Sequence, residues 1–309
     1  MSKQYDRLDA KESMNFAREL EYIKSKSYDV KFPKLQFAEG NLIPVSSEAG
    51  SGAMSITYDT YEGKAMAKII SDYASDFPRA EVSGKQTTVQ VRDLGIAFGY
   101  NYKEVKASQR AGKSLEQRRM NIAMEGSMQK LDNIALYGDE KSGLKGLLTH
   151  PNIGEYTVPN GASASPLFSN KTATEILEDL NGMVSKIIDD TNGIEQPNTI
   201  LLPLAQYSIL ATTARSTTSD KTILEFFLET SPYIDEIVAV PKLKGAGTAG
   251  ADVMIAYDKN PNNLTLEIPD PFEMLPVTQI NGDFTIPCTL STAGVIVYYP
   301  LSICKAEGI

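Results

Sequence analysis

The chain has 309 residues, of which 42% are hydrophobic and 22% are charged, and its formal net charge is −9. These values are ordinary for a soluble globular protein with room for two or three domains. Residues 1–170 hold 22 basic and 21 acidic side chains, but residues 171–309 hold 8 and 18. The acidic charge of the second half excludes a protein whose main role is to bind nucleic acid. The chain also lacks an apolar signal core and any apolar run of about 18 residues, so neither secretion nor a membrane span is expected.

The first hundred residues lack segments that can bury a core by themselves. Residues 1–31 form a charged arm with apolar residues at roughly helical spacing, so the arm must be disordered or lie on another surface. Residues 32–100 are short strands and turns. Alternating apolar residues at 54–58 and 87–91 predict two half-buried strands. The polar stretch 61–85 between them has no core face, so this two-stranded excursion needs a partner such as another subunit.

The stretch from Asn101 to Gly138 predicts the longest helix of the chain. It has no proline, and it would be roughly 50 Å long if unbroken. Gly138 is its predicted stop signal. The basic patch from Lys103 to Arg119 is interpreted as a solvated face, with loose phosphate contact as the alternative. One apolar stripe at helical spacing is formed by Met120, Met124, Met128, Leu131 and Ala135.

The second half alternates helix and strand and then becomes β. A Gly/Ser/Ala/Pro loop at 154–170 precedes a helix whose capping box is Thr172 and Glu175. Residues 171–268 are predicted as a compact α/β module. Its strands are predicted at 199–202, 234–240 and 253–257, and its later helices after Pro203 and at 222–229. Residues 270–309 are predicted as β strands, with Asn281-Gly282 as a hairpin turn.

Four features that suggest chemistry are better explained as structure. Gly245–Gly250 spells GxGxxG, but a strand is predicted after it, where a dinucleotide site requires a helix, so a flexible hairpin tip is predicted. His150 is the only histidine and lies in a Thr-His-Pro-Asn turn. Cys288 and Cys304 are predicted as buried free thiols, too few for a disulfide framework or a zinc cluster. Glu178-Asp179 and Asp189-Asp190 are interpreted as solvated helix faces. We therefore expect no enzyme activity, no cofactor and no metal.

Several short stretches follow one another in an informative order. They are LDNIALYGD at 131–139, GLKGLL at 143–148, Pro151-Asn152, PDPF at 269–272, GVIVYYP at 294–300 and Gly308-Ile309. Their order and spacing cover nearly the whole chain. They resemble the major capsid proteins of tailed bacteriophages, which have the Hong Kong 97 fold.

The resemblance implies an α+β fold of Hong Kong 97 type in several parts. They are an N-terminal arm at 1–50, an extended β loop at 51–97, a peripheral domain at 98–167 and 277–309 with a spine helix at 101–138, and an α/β axial domain at 168–276. The resemblance also implies two groups of contact residues. In the extended loop, the residues that meet a neighbouring subunit would be Tyr61, Lys64, Lys68, Arg79 and Lys85. At the axial tip they would be Gly245, Gly247 and Gly250.

The implied function is structural. The protein would self-assemble as pentamers and hexamers into an icosahedral head shell around the double-stranded DNA of a tailed phage. It would be part of the virion and be assembled in the host cytoplasm. Portal, scaffolding and decoration proteins are further partners that the resemblance allows, and contact with packaged DNA would be weak and non-specific.

Two details of the resemblance and two alternatives complete these expectations. The segment before the arm is too short for an internal scaffold, so a separate scaffold or none is expected. A covalent crosslink between a loop lysine and Asn281 is not expected. One alternative is the shell protein of an encapsulin-like bacterial nanocompartment, and the other is a soluble α/β enzyme that uses the Gly245–Gly250 loop.

Overall fold

The structure is a computed structural model that describes residues 33–65, 79–111, 115–216, 219–280 and 282–309. By its internal contacts the chain divides into a unit of residues 1–34 and a compact unit of Leu35–Ile309, which holds every helix and strand named below. Its helices are α1 Tyr102–Ala111, α2 Leu115–Tyr137, α3 Ala173–Asp190, α4 Leu204–Thr212 and α5 Ile223–Thr230. Its strands are β1 Val45–Ser46, β2 Ser55–Lys64, β3 Glu81–Gln90, β4 Arg92–Asn101, β5 Gly154–Thr157, β6 Thr199–Leu202, β7 Ala214–Ser216, β8 Ser219–Thr222, β9 Glu236–Ala239, β10 Val253–Tyr257, β11 Leu264–Glu267, β12 Glu273–Met274, β13 Thr278–Ile280, β14 Asp283–Thr292, β15 Gly294–Val297 and β16 Ile303–Glu307.

The strands form three larger sheets and two ribbons. The first sheet has the order β5-β16-β10-β6-β9, with β10 antiparallel to both of its neighbours. The second has the order β1-β11-β15. In the third, β14 pairs along its whole length with β4, and on its other side with β12 and β13. The ribbons are β2–β3 and β7–β8.

Strand β10 shows how two hydrophobic cores share one sheet. All five of its residues are buried. Val253, Ile255 and Tyr257 pack in a core with the C-terminal half of α2, β11 and β15. Met254 and Ala256 pack in a second core with α3, α4 and α5. Successive side chains of a strand point to opposite faces, so a strand buried on both faces reads as one continuous apolar run.

Two local sequence predictions are confirmed, and one helix buries a single apolar face. Thr172 Oγ1 accepts the N–H of Glu175, and the Glu175 carboxylate accepts the N–H of Thr172, which completes the predicted capping box. The turn between β13 and β14 is also confirmed, because Ile280 pairs with Asp283 across it. The buried apolar residues of α3 recur at helical spacing and include Ile176, Leu180, Met183, Val184 and Ile187.

The predicted single helix over 101–138 is instead described as two helices. Asn101 is the last residue of β4, and residues 112–114, between α1 and α2, lie outside the described residues. The 23 residues of α2 span roughly 35 Å. The predicted apolar stripe is wrong at Met124, which is 44% exposed. Instead, Ala123 packs among the side chains of β4 and β14, where a small residue allows helix and sheet to approach closely.

Strands pair across the predicted domain boundaries. Strands β5 and β16 lie in ranges predicted as peripheral, yet they share a sheet with β6, β9 and β10 from the predicted axial range. Strand β4 crosses the predicted boundary at residue 97 and pairs with β14 from Arg92 to Asn101. Pairing between segments so far apart in the sequence leaves no local pattern. None of the helices in the described part of the chain is long and apolar enough to span a membrane.

Gly138 ends α2 as predicted, and its position leaves no room for a side chain. Its φ is +71°, and its N–H donates to Ile134 O at 2.8 Å. A Cβ at Gly138 would lie 2.5 Å from Leu144 O and 2.8 Å from Gly146 N. Gly143 has a similar φ of +73°, but a Cβ there would meet nothing within 4 Å. Substitution of Gly143 therefore introduces backbone strain alone, whereas substitution of Gly138 introduces backbone strain and steric overlap.

We expect Gly138→Ala to lower the free energy of unfolding by about 3 kcal/mol or more, because strain and overlap act together. Gly143→Ala should lower it by only about 1–2 kcal/mol, since it adds left-handed strain alone. Urea denaturation of both variants beside the wild type measures the difference. Equal losses at the two positions would show that steric overlap at Gly138 contributes nothing.

Candidate assembly surfaces

The β2–β3 ribbon is a long excursion with no core on either face. It pairs residue for residue over ten positions, from Ser55–Gln90 to Lys64–Glu81. In β3 only Thr87 and Val89 are partly buried. The predicted alternation is confirmed there, but the prediction that Met54 is half-buried is wrong, because Met54 is 86% exposed. A ribbon of this kind is marginally stable alone in water, so its surface is available for a partner.

Cross-strand contacts within the ribbon hold its two strands together. The ring of Tyr61 covers Gly84 on the opposite strand, 3.1 Å from where a Cβ would stand. The hydroxyls of Thr57 and Thr88 lie 3.0 Å apart. Such pairs are the unit of stabilisation in a two-stranded structure.

Contacts at the base of the ribbon tie it to the compact unit. The rings of Tyr58 and Tyr298 meet edge to face with centroids 5.3 Å apart, and the Tyr298 hydroxyl lies 3.2 Å from Thr265 Oγ1. Burial raises the pKa of both tyrosines. Before the ribbon, the N–H of Gly52 donates to Asp270 Oδ2 at 3.4 Å. The base is therefore fixed, whereas the distal half of the ribbon stands in solvent.

Four of the five predicted contact residues of the extended loop are described by the structure, and they lie on this ribbon or beside it. Tyr61 is 71% exposed, and Arg79 and Lys85 are exposed. Lys64 is the last residue of β2. Lys68 lies outside the described residues. Their contact with a neighbouring subunit stays a prediction.

The Gly245–Gly250 loop is held at two points by carboxylates. The N–H of Gly245 donates to Asp252 Oδ1 at 2.8 Å, and the N–H of Thr248 donates to Glu307 Oε2 at 2.8 Å. Strand β10 follows the loop, so the helix N-terminus that a dinucleotide site requires is not in that place, as predicted. The position of the loop at an axial tip stays a prediction.

Asp132, a buried carboxylate that the sequence analysis missed, joins the start of the compact unit to α2. Its exposed fraction is 1%. Its Oδ1 atom accepts three successive backbone N–H groups, from Gln36 at 3.1 Å, Phe37 at 2.7 Å and Ala38 at 3.0 Å. An acidic residue within the apolar half of a helix is the only sequence signal that marks this role.

A third segment, the turn at Pro241–Leu243, reaches the same carboxylate. Lys242 Nζ lies 2.6 Å from Asp132 Oδ2 and 2.8 Å from Asn133 Oδ1. The Tyr137 hydroxyl donates to the carbonyl oxygen of Lys242. Asp132 and Lys242 together therefore fasten residues 36–38, α2 and this turn to one another.

A second buried ion pair corrects the interpretation of Asp179 as part of a solvated helix face. The side chains of Lys171 and Asp179 are each 1% exposed, and Lys171 Nζ lies 2.5 Å from Asp179 Oδ2. The same ammonium donates to Pro159 O at 2.7 Å. Burial raises the pKa of Asp179, and Lys171 opposes this shift. Residues 154–157 of the predicted loop are strand β5, and the pair fastens the remaining part, 158–170, to α3.

The basic patch on α1 is partly neutralised. Lys103, Lys106 and Arg110 are exposed, in line with a solvated face. Arg119 instead reaches Glu104 with two nitrogen–oxygen distances of 3.1 and 3.2 Å. This hydrogen bonding lowers the pKa of Glu104.

The cysteines and the histidine that were considered for catalysis or metal binding lie in positions where they contribute to packing and to a turn. Cys288 and Cys304 are buried free thiols, as predicted, and burial raises the pKa of Cys304 to about 12. His150 Nδ1 lies 2.9 Å from Pro151 O within its turn, and burial lowers its pKa. Across the ranges that the structure describes, no group of three or more His, Cys, Asp or Glu side chains is placed to hold a metal ion.

Comparisons with known proteins point to one family. A family model described as "Major capsid protein" matches residues 65–309. The capsid of Myoviridae Phage XM1 is similar in structure, with a TM-score of 0.80 and 18% identity, over 95% of this chain and 98% of that one. No curated protein sequence matches.

Two further solved structures share the fold. A chain of Mycobacterium phage Ogopogo has a TM-score of 0.63 and 12% identity, over 95% of this chain and 98% of that one. A virus-like particle from Pyrococcus furiosus has a TM-score of 0.56 and 14% identity, over 86% and 90%. The predicted α+β fold of Hong Kong 97 type is therefore confirmed.

Proposed function

Because this chain belongs to the major capsid protein family, we propose that copies of it assemble as pentamers and hexamers into a closed icosahedral shell. Its role in a phage head is structural. The β2–β3 ribbon is the observation that supports the mode of assembly, since it exposes Tyr61 and Val82 by more than 70% each without a core to receive them. Identical subunits in a closed shell supply a covering surface at every position.

The proposed shell is that of a virion and encloses double-stranded DNA. Exposed Lys103, Lys106 and Arg110 offer a few phosphate contacts, while the acidic residues 171–309 limit further attraction. Contact with DNA would therefore be weak, non-specific and sensitive to salt. Portal, scaffolding and decoration proteins would be further partners, assembly would take place in the host cytoplasm, and no catalytic activity is proposed. The encapsulin-like alternative gains no support from the family model.

Negative-stain microscopy of the purified protein, beside size-exclusion chromatography, tests this proposal. We expect closed shells, or pentamers and hexamers that convert to shells. A uniform monomer or dimer at every salt concentration would overturn it.

A shortened ribbon tests the role of the distal β2–β3 residues directly. In this variant residues 60–85 are removed, and Asp59 is joined to Gln86, its cross-strand partner, through Asn-Gly. We expect the free energy of unfolding to stay within about 1 kcal/mol of wild type, because the contact of Tyr58 with Tyr298 remains. We expect closed shells to be lost, because the proposed intersubunit surface is gone. A wild-type yield of shells would show that the distal ribbon is not needed for assembly.

A further inference from the structure

The segment Glu273–Ile280 forms an open edge of the third sheet. Strands β12 and β13 pair with β14 one after the other. On their other side, neither strand has a partner in the described part of the chain. Every residue from 273 to 280 is exposed. We call this segment the open edge.

Large apolar side chains crowd the open edge. Their exposed fractions are 52% at Met274, 37% at Leu275, 51% at Val277 and 68% at Ile280. Natural edge strands are usually protected by charged side chains, because a bare edge is a template for another strand. Here residues 274–282 contain no charged residue, and Pro276 alone interrupts the row of N–H donors. The open edge therefore has the chemistry of a strand-pairing site.

We infer that the open edge pairs with the open edge of a second copy of this chain, antiparallel about a two-fold axis. In such a contact, each surface meets an identical surface, so a charge near its centre would face a like charge. An uncharged row of nine residues avoids that repulsion. The inference rests on the proposed function, because it names one contact through which shell subunits meet.

A matched pair of variants tests the edge itself. Ile280→Lys adds a charge to the open edge, and Ile194→Lys makes the same change at an 80% exposed position in the loop after α3. We expect Ile280→Lys to lower the fraction of subunits in closed shells at least tenfold and Ile194→Lys to leave it unchanged. Thermal melts of both proteins should match wild type, which excludes misfolding as the cause.

Val277→Cys, Thr278→Cys and Gln279→Cys, made one at a time, test whether a second copy of the chain pairs with the open edge. Each variant samples a different register of the pairing. Cys288 and Cys304 are buried and do not compete for mild oxidant. At one register at least, we expect a disulfide-linked dimer on a non-reducing gel, whereas Ile194→Cys should give none.

The outcomes separate this inference from the proposed function. If Ile280→Lys forms closed shells at the wild-type yield, the inference is overturned and the proposed function is not affected. Loss of shells in Ile280→Lys without any cysteine dimer also overturns it, because another strand, such as the N-terminal arm or a different protein, then occupies the edge. If the wild type itself forms no shells or capsomers, the proposed function fails.

Discussion

Asp132→Ala is expected to lower the free energy of unfolding by about 3–5 kcal/mol, the range for removing one partner of a buried ion pair. The substitution leaves three consecutive N–H groups, of Gln36, Phe37 and Ala38, without their acceptor. It also leaves Lys242, whose side chain is 28% exposed, without its carboxylate. Unsatisfied buried donors cost about 1–3 kcal/mol each when water cannot reach them, so the loss is large even if the segment relaxes.

Asp190→Ala is the matched control for this prediction. Asp190 is also a helical aspartate paired with a lysine, Lys186, at 2.7 Å, but the pair is partly exposed and four residues apart on one helix. Such pairs contribute about 0.3–0.5 kcal/mol. Urea denaturation of the two variants would measure the contrast. A loss at Asp132 no larger than that at Asp190 would show that Asp132 does not fasten the segments around it.

Asp132→Asn separates the charge of this side chain from its shape. The amide oxygen can still accept from the backbone of residues 36–38, whereas the ion pair with Lys242 is gone. We expect a loss smaller than that of Asp132→Ala, about 1–3 kcal/mol. The double variant Asp132→Asn/Lys242→Met then measures how strongly the two side chains are coupled.

The second large effect is expected at Lys171, in the buried pair that fastens the segment 158–170 to α3. Lys171→Met leaves the Asp179 carboxylate buried without its counter-charge, and should lower the free energy of unfolding at neutral pH by about 3–5 kcal/mol. Chemical denaturation near pH 7.5 measures this loss. The double variant Lys171→Met/Asp179→Leu should recover most of it, because an apolar pair can replace a buried ion pair.

The same variant has a predictable dependence on pH. Burial raises the pKa of Asp179, nearby Glu175 and Glu178 raise it as well, and Lys171 lowers it. Without Lys171, the folded-state pKa rises further above the unfolded value. A raised carboxyl pKa stabilises the folded state as pH falls through it, so the deficit of Lys171→Met should shrink on acidification from neutral pH. A deficit that stays constant or grows would show that Asp179 is not left buried and ionised.

Local patterns predicted the parts of the fold that local physics decides. The capping box at Thr172 and the strand at 253–257 leave their signals within a few residues of sequence, and both predictions are confirmed. Asp179 was predicted to be solvated, and this was wrong because its burial depends on how the chain before α3 packs, although its partner Lys171 is only eight residues away. Asp132 was missed because its partner Lys242 lies 110 residues away. For the same reason, the pairing of β4 with β14 was not predicted.

One of the two candidate assembly surfaces could be predicted from the sequence, and the other could not. The sequence predicted that the distal part of the ribbon has no core, because the stretch 61–85 is polar and lacks the apolar alternation seen at 54–58 and 87–91. The sequence did not predict the open edge, because Val277 and Ile280 are typical strand residues and only the structure shows that they are exposed. Only the ladder with β14 shows which side of the strand is left without a partner.

The position of β16 inside the five-stranded sheet has a consequence for synthesis. Among the described strands, β5 pairs only with β16, yet β16 comes last along the chain. At about 5–20 residues per second, a ribosome needs roughly 7–30 s between completing β5 and starting β16. Throughout that interval the nascent sheet has a gap between β5 and β10 and cannot close. A chain that is interrupted before Ile303 never fills this gap. Truncated translation products therefore cannot complete the five-stranded sheet, and we expect them not to be incorporated into a growing shell.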